Sequence, residues 1–129
     1  MDGVVCAGEA PPDVIRELQS VRAALDEQVP SRTDANLLVA TWNVRAFSDV
    51  TQQWHAGPED SPNRDWHAVC CIAEIVSHFD VVAVQEVRRN VTALRLLADL
   101  LGSGWFGCPR IDVDHRARAV GQRSCRAAP

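Results

Sequence analysis

The chain has 129 residues, 47% of them hydrophobic and 23% charged, with a net charge of −4. That is one domain's worth of chain with enough apolar content for a modest core, which excludes wholesale disorder. The acidic balance excludes a general electrostatic pull toward nucleic acid or an anionic membrane, so a phosphate-bearing partner has to be met by a local basic patch or a metal ion.

The opening "MDGVVCAGEAPP" carries Asp2 and no long apolar region, so no signal peptide is expected. No apolar run approaches the length that spans a bilayer, and the chain reads as cytoplasmic with no membrane partner. Pro11, Pro12 and Asp13 precede a segment where Val14, Leu18, Val21 and Leu25 recur at helical spacing. Asp13 is the expected N-cap and Pro30 the stop. One apolar stripe opposite a charged face predicts a helix lying against the main body. "SRTDAN" is a polar linker, which makes residues 1–36 a leading helix and linker.

Leu37 to Val44 is a short, nearly continuous apolar run between polar turns, the pattern of a strand buried on both faces. Gly57, Pro58 and Pro62 then mark a long irregular loop, of the kind that often carries function. Asp65 is positioned to cap a helix whose apolar face is Val69, Ile72, Ala73, Val76 and Phe79. Val81 to Val84 reads as a second buried strand. Asn90 is placed to cap a third helix with Leu94, Leu97 and Leu101 on one side, ended by Gly102. The alternation of strand, helix, strand and helix over residues 37 to 101 predicts an α/β arrangement with a parallel strand pair.

Composition breaks after Trp105. Residues 107–129 hold five of the thirteen arginines, no aromatic residue and no sustained apolar period. All thirteen basic residues are arginine, a bias that points to a GC-rich genome. Out-of-frame reading of such DNA yields Arg, Ala, Pro and Gly, so this Arg-rich tail is expected to be disordered or the product of a frameshift near Gly107. Its local positive charge without stacking aromatics is a weak nucleic-acid signal. The five cysteines (Cys6, Cys70, Cys71, Cys108 and Cys125) are odd in number and contain no C-x-x-C pair, which argues against a zinc site or a disulfide framework. Cys70 and Cys71 fall in an apolar periodic stretch and read as small core residues.

Both strands end on a polar pair: Trp42-Asn43 on the first, Gln85-Glu86 on the second. In α/β sheets functional groups collect at the carboxyl ends of strands. An amide and a carboxylate converging there suit a hard, oxygen-loving cation such as magnesium. Taken singly, an Asn after a strand is a turn residue and a Glu followed by Arg88 and Arg89 is a solvated ion-pairing residue.

"LLVATWNVRAF" followed some forty residues later by "FDVVAVQEVR" resembles the opening of the endonuclease/exonuclease/phosphatase superfamily, over roughly residues 12 to 106 and most closely its bacterial members. The resemblance implies the N-terminal half of a four-layer α/β sandwich, with residues 37–106 a partial domain. Asn43 then matches the family's active-site asparagine, and Glu86 its magnesium-binding glutamate. Gln85 is the usual neighbour of Glu86, and Trp42 is expected to pack beneath the site. The implied activity is hydrolysis of phosphodiester or phosphomonoester bonds with Mg2+ or Mn2+, on a phosphate-ester substrate that is DNA by family and a phosphoinositide or sphingolipid in other branches.

The family's D-x-N segment and terminal aspartate–histidine pair have no counterpart here, so a truncated, inactive member is expected, completed by a missing C-terminal half or a second chain. His115 in "DVDH" comes too early to be that histidine. His55, His67 and His78 read as surface or capping residues, and Arg45, Arg88 and Arg89 as solvated or ion-paired. The alternative reading is a small α/β protein-interaction module without catalysis, bound through its leading helix or basic tail.

Overall fold

The structure is a computed structural model. It describes residues 10–111 and 117–123, with side chains described for residues 10–105. Helix α1 spans Pro12–Gln28, strand β1 Val39–Phe47, helix α2 Trp66–Ser77, strand β2 Val81–Val87 and helix α3 Thr92–Leu101. The strands β3 (Trp105–Ile111) and β4 (Ala117–Arg123) follow. The sheet order is β1-β2-β4-β3, with β1 and β2 parallel and the other two pairs antiparallel. The expected mixed α/β arrangement with a parallel pair is therefore present.

The described part of the C-terminal region differs from the expected tail. Residues 107–111 and 117–123 run as strands, while residues 112–116 and 124–129 lie outside the described residues. In "ARAVGQR" the small residues Ala117, Ala119 and Gly121 alternate with longer ones, which tolerates extended backbone, and strand β2 offers the edge onto which it adds.

Local rules explain most of the helix ends, with two corrections. Helix α1 begins at Pro12 after Pro11 with no side-chain cap, so Asp13 sits in the first turn instead of capping it. Proline at the first helical position has φ preset and no N–H to satisfy, and Asp13 still faces the positive end of the helix dipole. Asp65 caps α2 as expected, accepting from the Ala68 N–H at 2.9 Å. The cap position of α3 is Val91, not Asn90; Asn90 instead accepts from both the backbone N–H and the hydroxyl of Thr92. Gly102 ends α3 with φ 82°, a conformation that glycine adopts without steric cost.

Helices α2 and α3 cover one face of the sheet. Their residues Val69, Ile72, Ala73, Val76, Ala93 and Leu97 pack with Val44, Phe47, Val82, Val84 and Val87 in the main core. Helix α1 lies on α2 through Val14, Leu18 and Cys70. That contact is reinforced by Arg22, whose guanidinium makes two hydrogen bonds (2.8 and 3.0 Å) to the fully buried Glu74 carboxylate. The hydrogen bonds to Glu74 raise the Arg22 pKa further. Cys70 is buried as expected of a core residue, but it is also disulfide-bonded, which corrects the expectation that the cysteines form no disulfide.

Among the described residues, no helix packs on the opposite face of β1 and β2. Val39, Thr41 and Asn43 on β1 alternate outward, in register with the half-buried Val81, Ala83 and Gln85 of β2. Leu37 is 67% exposed and Val39 58%. The continuous apolar run thus makes a strand buried on one face only, because all the helices of residues 12–101 that reach the sheet pack on the same side.

At the amino ends of the parallel pair, Asp80 accepts from the Leu38 N–H (2.9 Å) and faces Arg32 at 2.7 Å. Arg32 also donates to the carbonyls of Ser77 and Phe79, tying the end of α2 to the start of both strands.

Candidate metal and phosphate site at the strand tips

Strands β1 and β2 are paired residue for residue from Val39↔Val81 to Asn43↔Gln85, and pairing resumes only at Phe47↔Val87. Between these points β1 spends three residues (Val44, Arg45, Ala46) where β2 spends one, Glu86. This bulge coincides with positive φ at Arg45 (51°), Ala46 (51°) and Glu86 (60°). Left-handed backbone at non-glycine residues costs of order 1–3 kcal/mol each and collects at functional sites.

The bulge has a geometric result. Val82 and Val84 point into the helix-side core, and strict alternation would send Glu86 there too. The left-handed turn at Glu86 instead keeps its carboxylate at the rim and returns Val87 to the core, where it is 1% exposed. Glu86 Oε1 accepts from Asn43 Nδ2 at 3.0 Å, and Oε2 accepts from the Ala46 N–H at 3.3 Å. Asn43 Oδ1 in turn accepts from the Arg45 N–H at 2.9 Å. The two residues singled out in the sequence are thus in direct contact, and both are wired to the bulge.

Arg64, which the sequence reading passed over, holds the bulge from behind. Its guanidinium donates to the carbonyls of Val44 (2.8 Å), Ala46 (3.1 Å) and Arg45 (3.1 Å), and lies 5.2 Å from the centre of the Phe47 ring. Burial lowers the Arg64 pKa, the mark of a charge partly removed from water. The loop that carries it is stitched to the ends of β1 and α2. Thr51 N–H donates to the Arg64 carbonyl at 2.8 Å, and Trp66 N–H to the Gln53 carbonyl at 3.0 Å. The Asp65 carboxylate, besides capping α2, accepts from the Ala56 N–H at 2.8 Å. The sequence signal was a basic residue between the turn residues Pro62 and Asp65, where no periodicity assigns it a side.

The remaining candidates fall as follows. Gln85 pairs in register with Asn43 and is half-buried. Trp42 packs against the helix-side core, beneath the rim. Arg45, Arg88 and Arg89 are exposed. His55 pairs with Asp13 (2.9 Å) and His67 with Glu17 (2.9 Å). His78 is the C-cap residue of α2, buried, with Nε2 3.1 Å from Asp26. None of these histidine contacts involves Asn43 or Glu86, and His115 lies outside the described residues.

Chemically, the rim offers a carboxylate fixed in place by an amide and a backbone N–H and left partly open to solvent. Magnesium is commonly held by one or two carboxylates while keeping several waters, and Glu86 is the carboxylate at this rim that could hold such an ion. As oriented, Asn43 turns its NH2 toward Glu86, so its role at this rim is to orient the carboxylate. No family model, curated protein or solved structure matches the chain. No helix among the described residues is long and apolar enough to cross a membrane.

Proposed function

We propose that these residues form the metal-binding wall of a magnesium-dependent phosphoesterase of the endonuclease/exonuclease/phosphatase type, in the N-terminal half of a four-layer sandwich. The observation that carries this reading is the Asn43–Glu86 contact at 3.0 Å, made at adjacent parallel strand tips through a strained bulge. The exposed Leu37 and Val39 on the face of β1 away from the helices support the sandwich, since that is the face a second sheet would cover.

In this reading Glu86 holds Mg2+, or Mn2+ in its place, and Asn43 keeps the carboxylate turned toward the rim. The bound ion would supply Lewis-acid polarisation of a phosphoryl oxygen and charge stabilisation of the leaving oxygen. Activation of the attacking water needs a His–Asp pair at this rim, and none of the described histidine pairs stands there, so the described residues are expected to bind the metal without turning over substrate. The substrate is a phosphate ester, with DNA the first choice by resemblance.

Mn2+ binding followed by electron paramagnetic resonance tests the site directly. Glu86→Gln is expected to abolish binding and Asn43→Ala to weaken it, while plasmid DNA and phosphomonoesters remain intact. Equal Mn2+ binding in all three proteins would remove the basis for the assignment.

A further inference from the structure

A second group of ligating side chains lies on the other side of α2. Glu17 of α1 faces His67 and Cys71 of α2, and the ligand atoms of all three lie within 4.8 Å of one another. His67 and Cys71 are four residues apart on one helix, the spacing that stacks side chains on a single face. The bonds of zinc to nitrogen, oxygen and sulfur, at about 2.0–2.3 Å in a tetrahedron, put ligand atoms roughly 3.5 Å apart. Side-chain shifts of well under about 1 Å would therefore close the group on an ion.

The state of His67 points the same way. Its Nε2 is buried and lies 2.9 Å from Glu17 Oε2, yet it forms no hydrogen bond. The contact has the distance of an ion pair without the alignment of a donor and acceptor. A buried ring nitrogen left in this way is costly unless something else satisfies it. Glu17 is 57% exposed, which gives an ion a path from solvent. The His55 ring, 5.7 Å from that of His67 and edge-on to it, stands beside the group on the adjoining loop.

We propose that Glu17, His67 and Cys71 bind a zinc ion that clamps α1 onto α2, with the fourth position taken by water or His55. The mixed nitrogen, sulfur and oxygen donors select a borderline-soft transition metal over magnesium or calcium, so this site is chemically distinct from the Glu86 rim. A search for C-x-x-C spacing misses it because the ligands come from two separated helices.

Cobalt titration of the 129-residue chain reads the site through its sulfur. One equivalent of Co2+ is expected to give a near-ultraviolet thiolate-to-cobalt charge-transfer band, bleached by one equivalent of Zn2+. The band is lost in Cys71→Ser and unchanged in Glu86→Gln, which separates this site from the strand-tip rim. Glu17→Gln, at an exposed position that leaves the fold intact by circular dichroism, weakens zinc by roughly tenfold or more, since even residues that only support a ligand cost that much. Zinc raises the melting temperature of the parent chain and not that of Glu17→Gln. Absence of the band at one equivalent, or an equal band in Cys71→Ser, overturns the proposal. So does equal zinc affinity in the parent and Glu17→Gln.

Discussion

Replacing Arg64 by methionine removes the guanidinium that holds the β1 bulge while keeping an apolar stem over Phe47. The loss is worked from three hydrogen bonds to carbonyls and one ring contact at 5.2 Å. A hydrogen bond to a charged group contributes about 1.5–3 kcal/mol net. Water can reach part of this cluster, so the three together are set at about 1.5–2 kcal/mol. The cation–π contact adds about 0.5–1 kcal/mol, and release of the half-buried charge returns some of the total. The expected net loss is about 2 kcal/mol, a factor of roughly 30 in population.

That loss falls on a segment already carrying left-handed backbone at Arg45 and Ala46, so the bulge relaxes before the core does. Apparent Mn2+ affinity at Glu86 scales with the fraction of molecules holding the bulge, and should fall by up to about 30-fold. Ala46→Gly in the same background removes about 1 kcal/mol of left-handed strain and should recover roughly fivefold. Urea unfolding followed by tryptophan fluorescence measures the stability, and Mn2+ titration the affinity. If Arg64→Met loses stability while its Mn2+ affinity stays within about twofold, the clamp does not position Glu86 and the reasoning is wrong.

Three further outcomes follow from the packing. Arg22→Ala strands the Glu74 carboxylate, which is 1% exposed, and should cost about 2–3 kcal/mol, below the usual figure for a buried pair because Arg22 is 41% exposed. A loss under about 0.5 kcal/mol in urea melts would contradict the pairing. In the metal-free chain, burial, followed by Glu17, Asp65 and Glu74, pushes the Cys71 thiol from its ordinary 9.0 up to about 11. Alkylation of Cys71 at pH 8 should then run about 100-fold slower than that of an exposed thiol, because only the thiolate reacts. The folded thiol has the higher pKa, so its contribution to stability is full below about pH 9 and is lost as the pH rises through about 11; comparable alkylation rates in the native and unfolded chain would refute this. Leu37→Lys combined with Val39→Lys should change stability by less than about 0.5 kcal/mol per site and reduce self-association in analytical ultracentrifugation. A cooperative loss of several kcal/mol would show that the face is covered.

Much of this architecture is legible in the residues because local chemistry and tertiary packing agree. The apolar spacing of Val69, Ile72, Ala73 and Val76, the Asp65 cap and the Gly102 stop each specify the same helices that the packing uses. Asn43 and Glu86 were found because strand ends concentrate polar groups. The bulge between them was legible only indirectly: Val82, Val84 and Val87 are the buried positions, and the step of three between the last two breaks the alternation of a strand. Arg64 and the Glu17–His67–Cys71 group were hidden for a different reason. Their contacts cross between segments with no shared period, and sequence spacing encodes only what repeats along one element. The covering of the apolar run was misjudged because hydrophobicity records what a strand can bury, not how many layers are there to bury it.

The left-handed turn at Glu86 also restricts which sequences can keep this rim. The carboxylate is aimed by the main chain and not by a choice of rotamer, so lengthening or shortening the side chain cannot substitute for the turn. Asparagine, aspartate and glycine tolerate such backbone at positions 45 and 46, whereas valine, isoleucine and threonine are driven out of it. A library randomised at those two positions and sorted for a folded rim should therefore be purged of β-branched residues while accepting wide variation in charge.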